Sequence, residues 1–259
     1  MPILTESSRF QLRVVLSSYP VVWRVALAVR DVILRGPWTG AVVRFCQWRA
    51  KTRTPMAVRT PTLFPSLVVS DTVAQLRSDG IATGFTVPAA EVDELVAHFK
   101  TLTDEELAEY REVHLKCPAA DRIARDERLV AVAREYLGAE PILFRTLGWV
   151  RHANPGEPCF HFDSADIRDL VLFVYLNDVD ENCHPHAIIP GTRRKTFRQL
   201  LNRRMPDAEA VRRYGDRIQV ITGPRGTAFL EDTTNYHKRM AGTTSRLSLT
   251  ITYTLRRYS

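Results

Sequence analysis

Two residues apart in the chain stand a histidine and an aspartate, His161 and Asp163, and far downstream stands a second histidine, His237. In an extended strand, residues two apart project to the same side, so one imidazole and one carboxylate converge on one point. His237 lies just after an apolar strand, in the run Asp232-Thr233-Thr234-Asn235-Tyr236-His237-Lys238. Two imidazoles and one carboxylate on a β-scaffold form the facial set that holds non-heme Fe(II) and leaves coordination positions open. By itself a His-x-Asp pair also describes an ordinary surface or salt-bridged pair. Arg246, nine residues beyond His237 at the start of the last strand, sharpens the reading. A turn and a return strand would place its guanidinium inside the same barrel, where burial demands a carboxylate partner. A 2-oxo acid chelating the metal at one end would present its distal carboxylate there for bidentate pairing.

The elements that must position these groups change character along the chain. From Asp71 the pattern is helical for about sixty residues, as judged by apolar spacing and terminal signals. Asp79-Gly80 ends the first helix, Pro88 opens Glu91 to Leu102, and Thr103 to Glu106 has the form of a capping box. Asp126 to Leu137 is closed by Gly138. After Pro141 come seven strand-like segments: Ile142–Arg151, Phe160–Asp163, Asp169–Leu176, Ala187–Pro190, Arg217–Thr222, Thr227–Glu231 and Arg246–Leu255. Thr196 to Tyr214 reads as a helical insertion among them. Helices first and short strands after argue an α+β chain, a sandwich or jelly roll with a helical N-terminal buttress. In the last strand Leu247, Leu249, Ile251, Tyr253 and Leu255 alternate with Arg246, Ser248, Thr250, Thr252 and Thr254. The apolar face should pack on helices, and the polar face meets either solvent or a barrel interior.

With 259 residues, 45% hydrophobic and 25% charged, the chain has the composition of a globular domain, not of a disordered or collagen-like one. Its four cysteines, Cys46, Cys117, Cys159 and Cys183, form no C-x-x-C and are expected reduced and mostly buried. No secretory leader or spanning segment is evident, which points to the cytoplasm. The net charge of +7 is local: residues 1–60 hold ten Lys and Arg against two Asp and Glu. The remainder is nearly neutral, which argues against nucleic acid as a partner. Residues 1–60 read as a basic extension with two amphipathic helical stretches, Val21–Leu34 and Trp38–Arg53. They either dock on the body or reach the inner face of an anionic membrane. The Pro- and Thr-rich stretch Thr52–Pro65 is expected to be a linker to a domain over 61–259.

The ordered motifs resemble the phytanoyl-CoA dioxygenase-like family of Fe(II)/2-oxoglutarate oxygenases. They are Leu76-Arg77-Ser78-Asp79-Gly80, Tyr136-Leu137-Gly138, His161-Phe162-Asp163, Val174-Tyr175-Leu176-Asn177-Asp178-Val179, Ile189-Pro190-Gly191-Thr192, Gly223-Pro224-Arg225-Gly226-Thr227, and His237 with Arg246. The resemblance implies a double-stranded β-helix (jelly roll, cupin-like) with His161, Asp163 and His237 as iron ligands. It places Arg246 on the distal carboxylate of 2-oxoglutarate and Tyr175 beside that cosubstrate. The implied reaction consumes 2-oxoglutarate and O2 and hydroxylates a small-molecule, saccharide-type or lipid-linked substrate. Retention of Asp163 sets the chain apart from relatives that halogenate. Three departures touch the cosubstrate pocket: His184 where the family commonly has Gly, Arg193 where His often follows, and Lys238-Arg239 where a small polar residue is frequent. His184 and His186 stand as further ligands, substrate contacts or plain structural residues, whereas His98, His114 and His152 read as structural. Two rivals use the same residues: a zinc hydrolase on the same three ligands, and a degenerate jelly roll that binds a ligand without catalysis.

Overall fold

The computed structural model describes residues 39–163, 168–193 and 204–255. The stretch Val21–Leu34, expected to be helical, lies outside the described residues. Among those described, the elements run α1 (Thr39–Ala50), α2 (Val69–Ser78), β1 (Ile81–Thr86), α3 (Ala89–Phe99), α4 (Asp104–Leu107) and β2 (Tyr110–Arg111). Then follow α5 (Val113–Lys116), α6 (Pro118–Ala124), α7 (Glu127–Leu137), β3 (Ile142–Arg151), β4 (Cys159–His161), β5 (Asp169–Tyr175) and β6 (His186–Ile189). The chain continues through β7 (Arg204–Pro206), α8 (Asp207–Tyr214), β8 (Gln219–Ile221), β9 (Thr227–Glu231), β10 (Tyr236–Arg239) and β11 (Arg246–Thr254).

The strands form two antiparallel sheets, one ordered β1-β9-β5-β11-β3-β2 and the other β7-β4-β10-β6-β8. β11 lies at the centre of the first, with Arg246 opposite Arg151 of β3 and Ser248 opposite Tyr175 of β5. Its alternation resolves as expected on the apolar side. Leu249, Ile251 and Tyr253 are fully buried with Leu76, Leu95, Phe99, Ile123 and Leu129 of the helices. Each such side chain contributes about 1.5–3 kcal/mol by leaving water, which is what holds the helical layer to the sheet. The polar side, Arg246, Ser248, Thr250 and Thr252, faces an interior cavity instead of solvent. The second sheet has its own small apolar cluster of Phe160, Phe162, Ile189, Met205, Ala210 and Tyr236, completed by α8.

Four strands escaped the sequence reading. β1 interrupts the long helical pattern because Gly80 takes a left-handed conformation (φ 77) and turns the chain into pairing with β9. β2 has two residues, and β7 falls in the expected insertion Thr196–Tyr214. Residues 196–203 of that insertion are outside the described set, and of the described part the end is helical, as α8. β10 has four residues and carries His237, so this histidine sits in a strand, not in the loop after one. Such short elements take their conformation from partners far away in sequence, which local patterning does not reveal.

The helix signals fared better. Thr103 and Glu106 form the reciprocal capping box. Gly138 (φ 71) closes α7 with its N–H on Arg134. The four cysteines are free, three of them buried. The stretch expected to be a linker is tied along its length. Thr62 Oγ1 donates to Asp126 Oδ1 at 3.1 Å and Leu63 N to Asp126 Oδ2 at 2.6 Å, while Phe64 is buried edge-on to Phe85. α1 docks too, through buried Val43, Cys46 and Ala50 and a 2.8 Å bond from Gln47 Nε2 to the Leu137 carbonyl. No helix among the described residues is long and apolar enough to cross a membrane.

Asp126 is the N-cap of α7 as well, its Oδ1 accepting from Arg128 N at 2.9 Å and Leu129 N at 3.2 Å. One buried carboxylate therefore serves four donors on two segments. Asp126→Ala is expected to cost about 2–3 kcal/mol, a cap plus the orphaned donors of residues 62 and 63. Urea unfolding followed by circular dichroism measures it.

Candidate metal and cosubstrate site

β4 and β10 are antiparallel neighbours, and the residue opposite His237 is His161. Their rings lie 4.7 Å apart between centroids. Asp163 follows two residues beyond β4, its N–H bonded to the Thr233 carbonyl at 2.9 Å. Sheet register and one backbone bond thus gather the three groups: ligand-type atoms of His161, Asp163 and His237 all lie within 4.8 Å of one another. On the two histidines the Nε2 atoms face Asp163, at 3.9 Å from His161 and 3.8 Å from His237. The other His237 nitrogen, Nδ1, is 3.0 Å from the Asn235 carbonyl, which accepts its proton and leaves Nε2 as a lone-pair donor. Burial pulls the pKa of His237 below the ordinary histidine value, so the ring stays neutral into mildly acidic solution. The donor set, its spacing and this tautomer fit a divalent metal.

His237 owes its place to three turns that the sequence motifs supply. The Gly191 N–H bonds the Asp79 carbonyl at 2.7 Å, and Asp232 N bonds the Gly80 carbonyl at 2.8 Å. Thr192 Oγ1 accepts from Tyr236 N at 3.0 Å, so Pro190-Gly191-Thr192 sets the start of β10. Asp232 accepts from the Tyr136 hydroxyl and, at 3.0 Å and 2.6 Å, from Thr234 N and Oγ1. Arg193 donates to the Tyr136 hydroxyl at 3.1 Å and to the Arg77 carbonyl, tying α2 and α7 to this corner. Gly80 is the contact point. A Cβ there would lie 2.0 Å from Asn235 Nδ2, and the backbone is left-handed besides. Gly80→Ala is expected to lose about 2–3 kcal/mol from strain and overpacking, and to weaken Mn(II) binding by displacing Asn235 from His237. Thermal melting and metal titration calorimetry read the two effects separately.

The cavity between the sheets has a volume of about 410 Å³, within the range of small-molecule sites. The three clustered residues line it from the second sheet together with His186 and Arg239, and Arg246, Ser248, Thr250 and Thr252 line it from β11. Arg246 is positioned closely. Asn177 Oδ1 accepts from Leu247 N at 2.7 Å and Asn177 Nδ2 donates to the Ser245 carbonyl at 3.1 Å, gripping the backbone on both sides of it. Its Nη1 donates to the His184 carbonyl, while its Nε is buried with no hydrogen-bond partner among the described residues. Burial lowers its pKa, and no carboxylate bonds it among the described residues. A buried guanidinium with spare donors is suited to pairing with a carboxylate. Tyr175 does not line the cavity. Its hydroxyl donates to the Ile221 carbonyl at 2.9 Å and accepts from His186 N at 3.1 Å, and its ring lies 5.8 Å from the Arg246 guanidinium. The structure brings it to Arg246, behind the guanidinium and off the cavity wall.

The departures from the family pattern divide cleanly. His184 takes a left-handed conformation (φ 51), the conformation a glycine would supply, and its carbonyl is what Arg246 holds. Lys238 points away from the cavity to Asp207, 2.7 Å from its carboxylate. Arg239 lines the cavity and donates to Asn154 Oδ1 at 2.8 Å. His98, His114 and His152 bond Tyr110, Thr146 and Ser245, consistent with structural parts.

Sequence reasoning missed Glu231 and Glu157. Glu231 is fully buried, its Oε2 2.6 Å from His186 Nε2 and its Oε1 3.3 Å from His237 Nδ1. Burial raises the Glu231 carboxyl and lowers the His186 imidazole, so both favour their neutral forms and share one proton in their mutual bond. The His186 ring stacks on that of His237 at 5.4 Å, so the pair braces the clustered histidine from behind. His186 thus stands beside the three-residue cluster and outside it. The signal for Glu231 was a lone acidic residue ending an otherwise apolar strand. Glu157 Oε2 lies 3.7 Å from His161 Nδ1 and accepts from Arg239 N at 2.7 Å.

No protein-family model and no curated protein matches the chain. Solved structures do. EctD from S. alaskensis, crystallised with 2-oxoglutarate and 5-hydroxyectoine, superposes with a TM-score of 0.56 at 22% identity, covering 79% of this chain and 85% of that one. The non-heme monooxygenase ThoJ, as its Ni complex, gives 0.53 at 17% identity over 71% and 76%. The non-heme alpha-ketoglutarate-dependent epimerase SnoN from nogalamycin biosynthesis gives 0.53 at 20% identity over 71% and 80%. At these identities the likeness establishes architecture only: the two antiparallel sheets and their helices are the fold of these non-heme enzymes.

Proposed function

We propose that this chain is a non-heme Fe(II)- and 2-oxoglutarate-dependent oxygenase, a double-stranded β-helix of the phytanoyl-CoA dioxygenase-like kind that hydroxylates a small molecule. The observation that carries the proposal is one cavity holding both the His161, Asp163 and His237 cluster and the buried, acceptor-poor Arg246. A hydrolytic zinc site has no use for the second feature, and a decayed binding protein has no reason to retain both.

In this reading His161 Nε2, His237 Nε2 and an Asp163 oxygen hold iron, and Arg246 pairs with the distal carboxylate of 2-oxoglutarate. The bound iron, with 2-oxoglutarate and O2, supplies the oxidising chemistry, in which 2-oxoglutarate becomes succinate and CO2. The protein's own part is orientation and exclusion. The Asn235 carbonyl holds the proton on His237 Nδ1 and so keeps Nε2 available to the metal. Arg246 would hold the distal carboxylate of the cosubstrate, and Tyr175 and Asn177 fix Arg246. Phe173 lines the cavity with Phe229 stacked behind it at 4.9 Å, an apolar backing for that wall. Residues 61–259 carry all of these groups. Residues 1–60 are proposed to serve location, at an anionic membrane surface or a lipid-linked or saccharide substrate, beyond the docking of α1.

Anaerobic addition of Fe(II) and then 2-oxoglutarate tests the assignment. A weak visible charge-transfer band requiring both components is expected. Its absence, with tight zinc binding in its place, would overturn the oxygenase reading in favour of the hydrolase. Absence of any metal binding would leave only a ligand-binding protein. Once a substrate is found, a product heavier by one oxygen atom distinguishes hydroxylation from epimerisation.

A further inference from the structure

Four arginines line the cavity, and their partners differ. Arg151 donates to the Ala108 and Val150 carbonyls, both at 3.0 Å, and stacks on Trp149 at 4.3 Å. Arg239 is bonded to Asn154. The other two, Arg246 and Arg145, each have a buried Nε with no hydrogen-bond partner among the described residues. Arg246 has its proposed anion in the cosubstrate. Arg145 has none: among the described residues no hydrogen bond or ion pair is made by its guanidinium, whose contact is with the Phe144 ring at 5.8 Å.

The two guanidiniums stand at opposite ends of one wall. On β3, residues 145, 147, 149 and 151 face the cavity in alternation. Arg151 is opposite Arg246 on β11, and Arg145 is opposite Thr252. Six residues of strand separate the two levels, about 20 Å between Cα atoms at the usual rise. Arg246 lies against Tyr175, 5.8 Å from its ring, whereas Asp163 N bonds the Thr233 carbonyl and Thr233 Oγ1 donates to Asp169, which is opposite Thr254 at the Arg145 end of β11. Asp163 of the proposed metal cluster therefore faces the Arg145 end, and 2-oxoglutarate on Arg246 would leave that end open. Between them the wall has a polar centre, Ser248, Thr250 and Thr252 of β11, flanked by Leu147 and Trp149 of β3 on one side and Val171 and Phe173 of β5 on the other.

We propose that Arg145 is a substrate-binding residue, and that the substrate carries an anionic group, a carboxylate or a phosphate, on a body that lies over the hydroxyls of β11 between the rings of Trp149 and Phe173. The physical reason is that of Arg246. A half-buried fork with unused donors is costly unless an anion fills it, and bidentate pairing fixes orientation as well as affinity. With the anion held at the far end, the body is drawn across the face of the metal cluster opposite the cosubstrate. The inference rests on the proposed function, because it assigns Arg246 to 2-oxoglutarate.

The test uses the full chain loaded with Mn(II) and saturated with 2-oxoglutarate. It is titrated calorimetrically with phenylphosphonate, with phenylacetate, and with neutral 2-phenylethanol. At least one of the two anions is expected to bind while the alcohol binds at least tenfold more weakly. Whichever anion binds tells phosphate from carboxylate. Arg145→Gln is expected to weaken that anion by tenfold or more, Arg145→Lys to restore part of it, and both to bind 2-oxoglutarate as the unaltered chain does, which also reports that they fold. Mn(II)-enhanced nuclear relaxation of the bound probe should show it close to the metal. Binding of neither anion, equal binding to Arg145→Gln, or displacement of the probe by 2-oxoglutarate would each overturn the assignment of Arg145. Failure of the unaltered chain to bind 2-oxoglutarate would overturn the proposed function itself, and is read in the same experiment before any probe is added.

Discussion

His237→Ala is expected to lower metal affinity by more than about 100-fold, beyond what loss of an outer-shell partner costs, and to abolish 2-oxoglutarate consumption with it. The reasoning is geometric. The cluster has three donors within 4.8 Å, and two of them come from rings paired across β4 and β10. Removing one leaves a bidentate remnant that cannot define a facial set. The ring is buried and its Nδ1 serves the Asn235 carbonyl, so alanine also leaves a small void and an unpaired acceptor. That side effect is expected to cost about 1–3 kcal/mol of stability. His237→Gln fills more of the space, and it should recover much of the stability without recovering the activity. Mn(II) titration calorimetry and oxygen uptake with 2-oxoglutarate measure binding and turnover, and thermal melting measures the fold. Retention of tight metal binding in both variants would take His237 out of the metal site. The same experiment at lower pH carries a sign. Because burial depresses the His237 pKa, its folded ring binds fewer protons than the unfolded ring around the ordinary histidine value of 6.5. Its contribution is therefore to lower stability as pH falls through that range.

Arg246→Lys is expected to raise the dissociation constant for 2-oxoglutarate about tenfold or more while leaving metal affinity near its original value. Lysine keeps the positive charge but has no planar fork, and bidentate recognition is what the position offers. Its shorter donor set also cannot serve the His184 carbonyl and a carboxylate in the same arrangement. Affinity for 2-oxoglutarate, read calorimetrically on the Mn(II)-loaded protein, should therefore fall without loss of the metal. Unchanged affinity would show that the spare donors of Arg246 do not meet the cosubstrate. The outcome separates this residue from His237, whose loss should remove metal and cosubstrate together.

Much of the site was legible because its parts are local. The His161-x-Asp163 spacing puts two donors on one side wherever that segment is extended, and β4 is extended. The alternation of β11 announced one apolar and one polar face, and the polar face carried Arg246. Gly80, Gly138 and Thr103 announced helix ends through terminal chemistry that needs only a few neighbouring residues. Less legible were the elements built from long-range pairing. β1 read as helix because its partner, β9, lies some 145 residues away. β10 is four residues long, and β4 and β6 on either side give it its conformation.

What the amino-acid sequence by itself determined was the inventory: two histidines, one aspartate and one arginine in a plausible order, a helical half and a stranded half. Tertiary structure alone decided three further things. The polar face of β11 turns inward because a second sheet closes over it, a fact of sheet stacking that no alternation pattern contains. Tyr175 stands behind Arg246 instead of on the cavity wall, because its hydroxyl is taken by the backbone of residues 186 and 221. Glu231 stands out only through its burial against His186 and His237, and Arg145 only through a buried Nε that no described residue accepts from; both are properties of a packed neighbourhood. Residue types and spacings are carried by the chain, but desolvation and pairing are set by whichever distant segments fold against it.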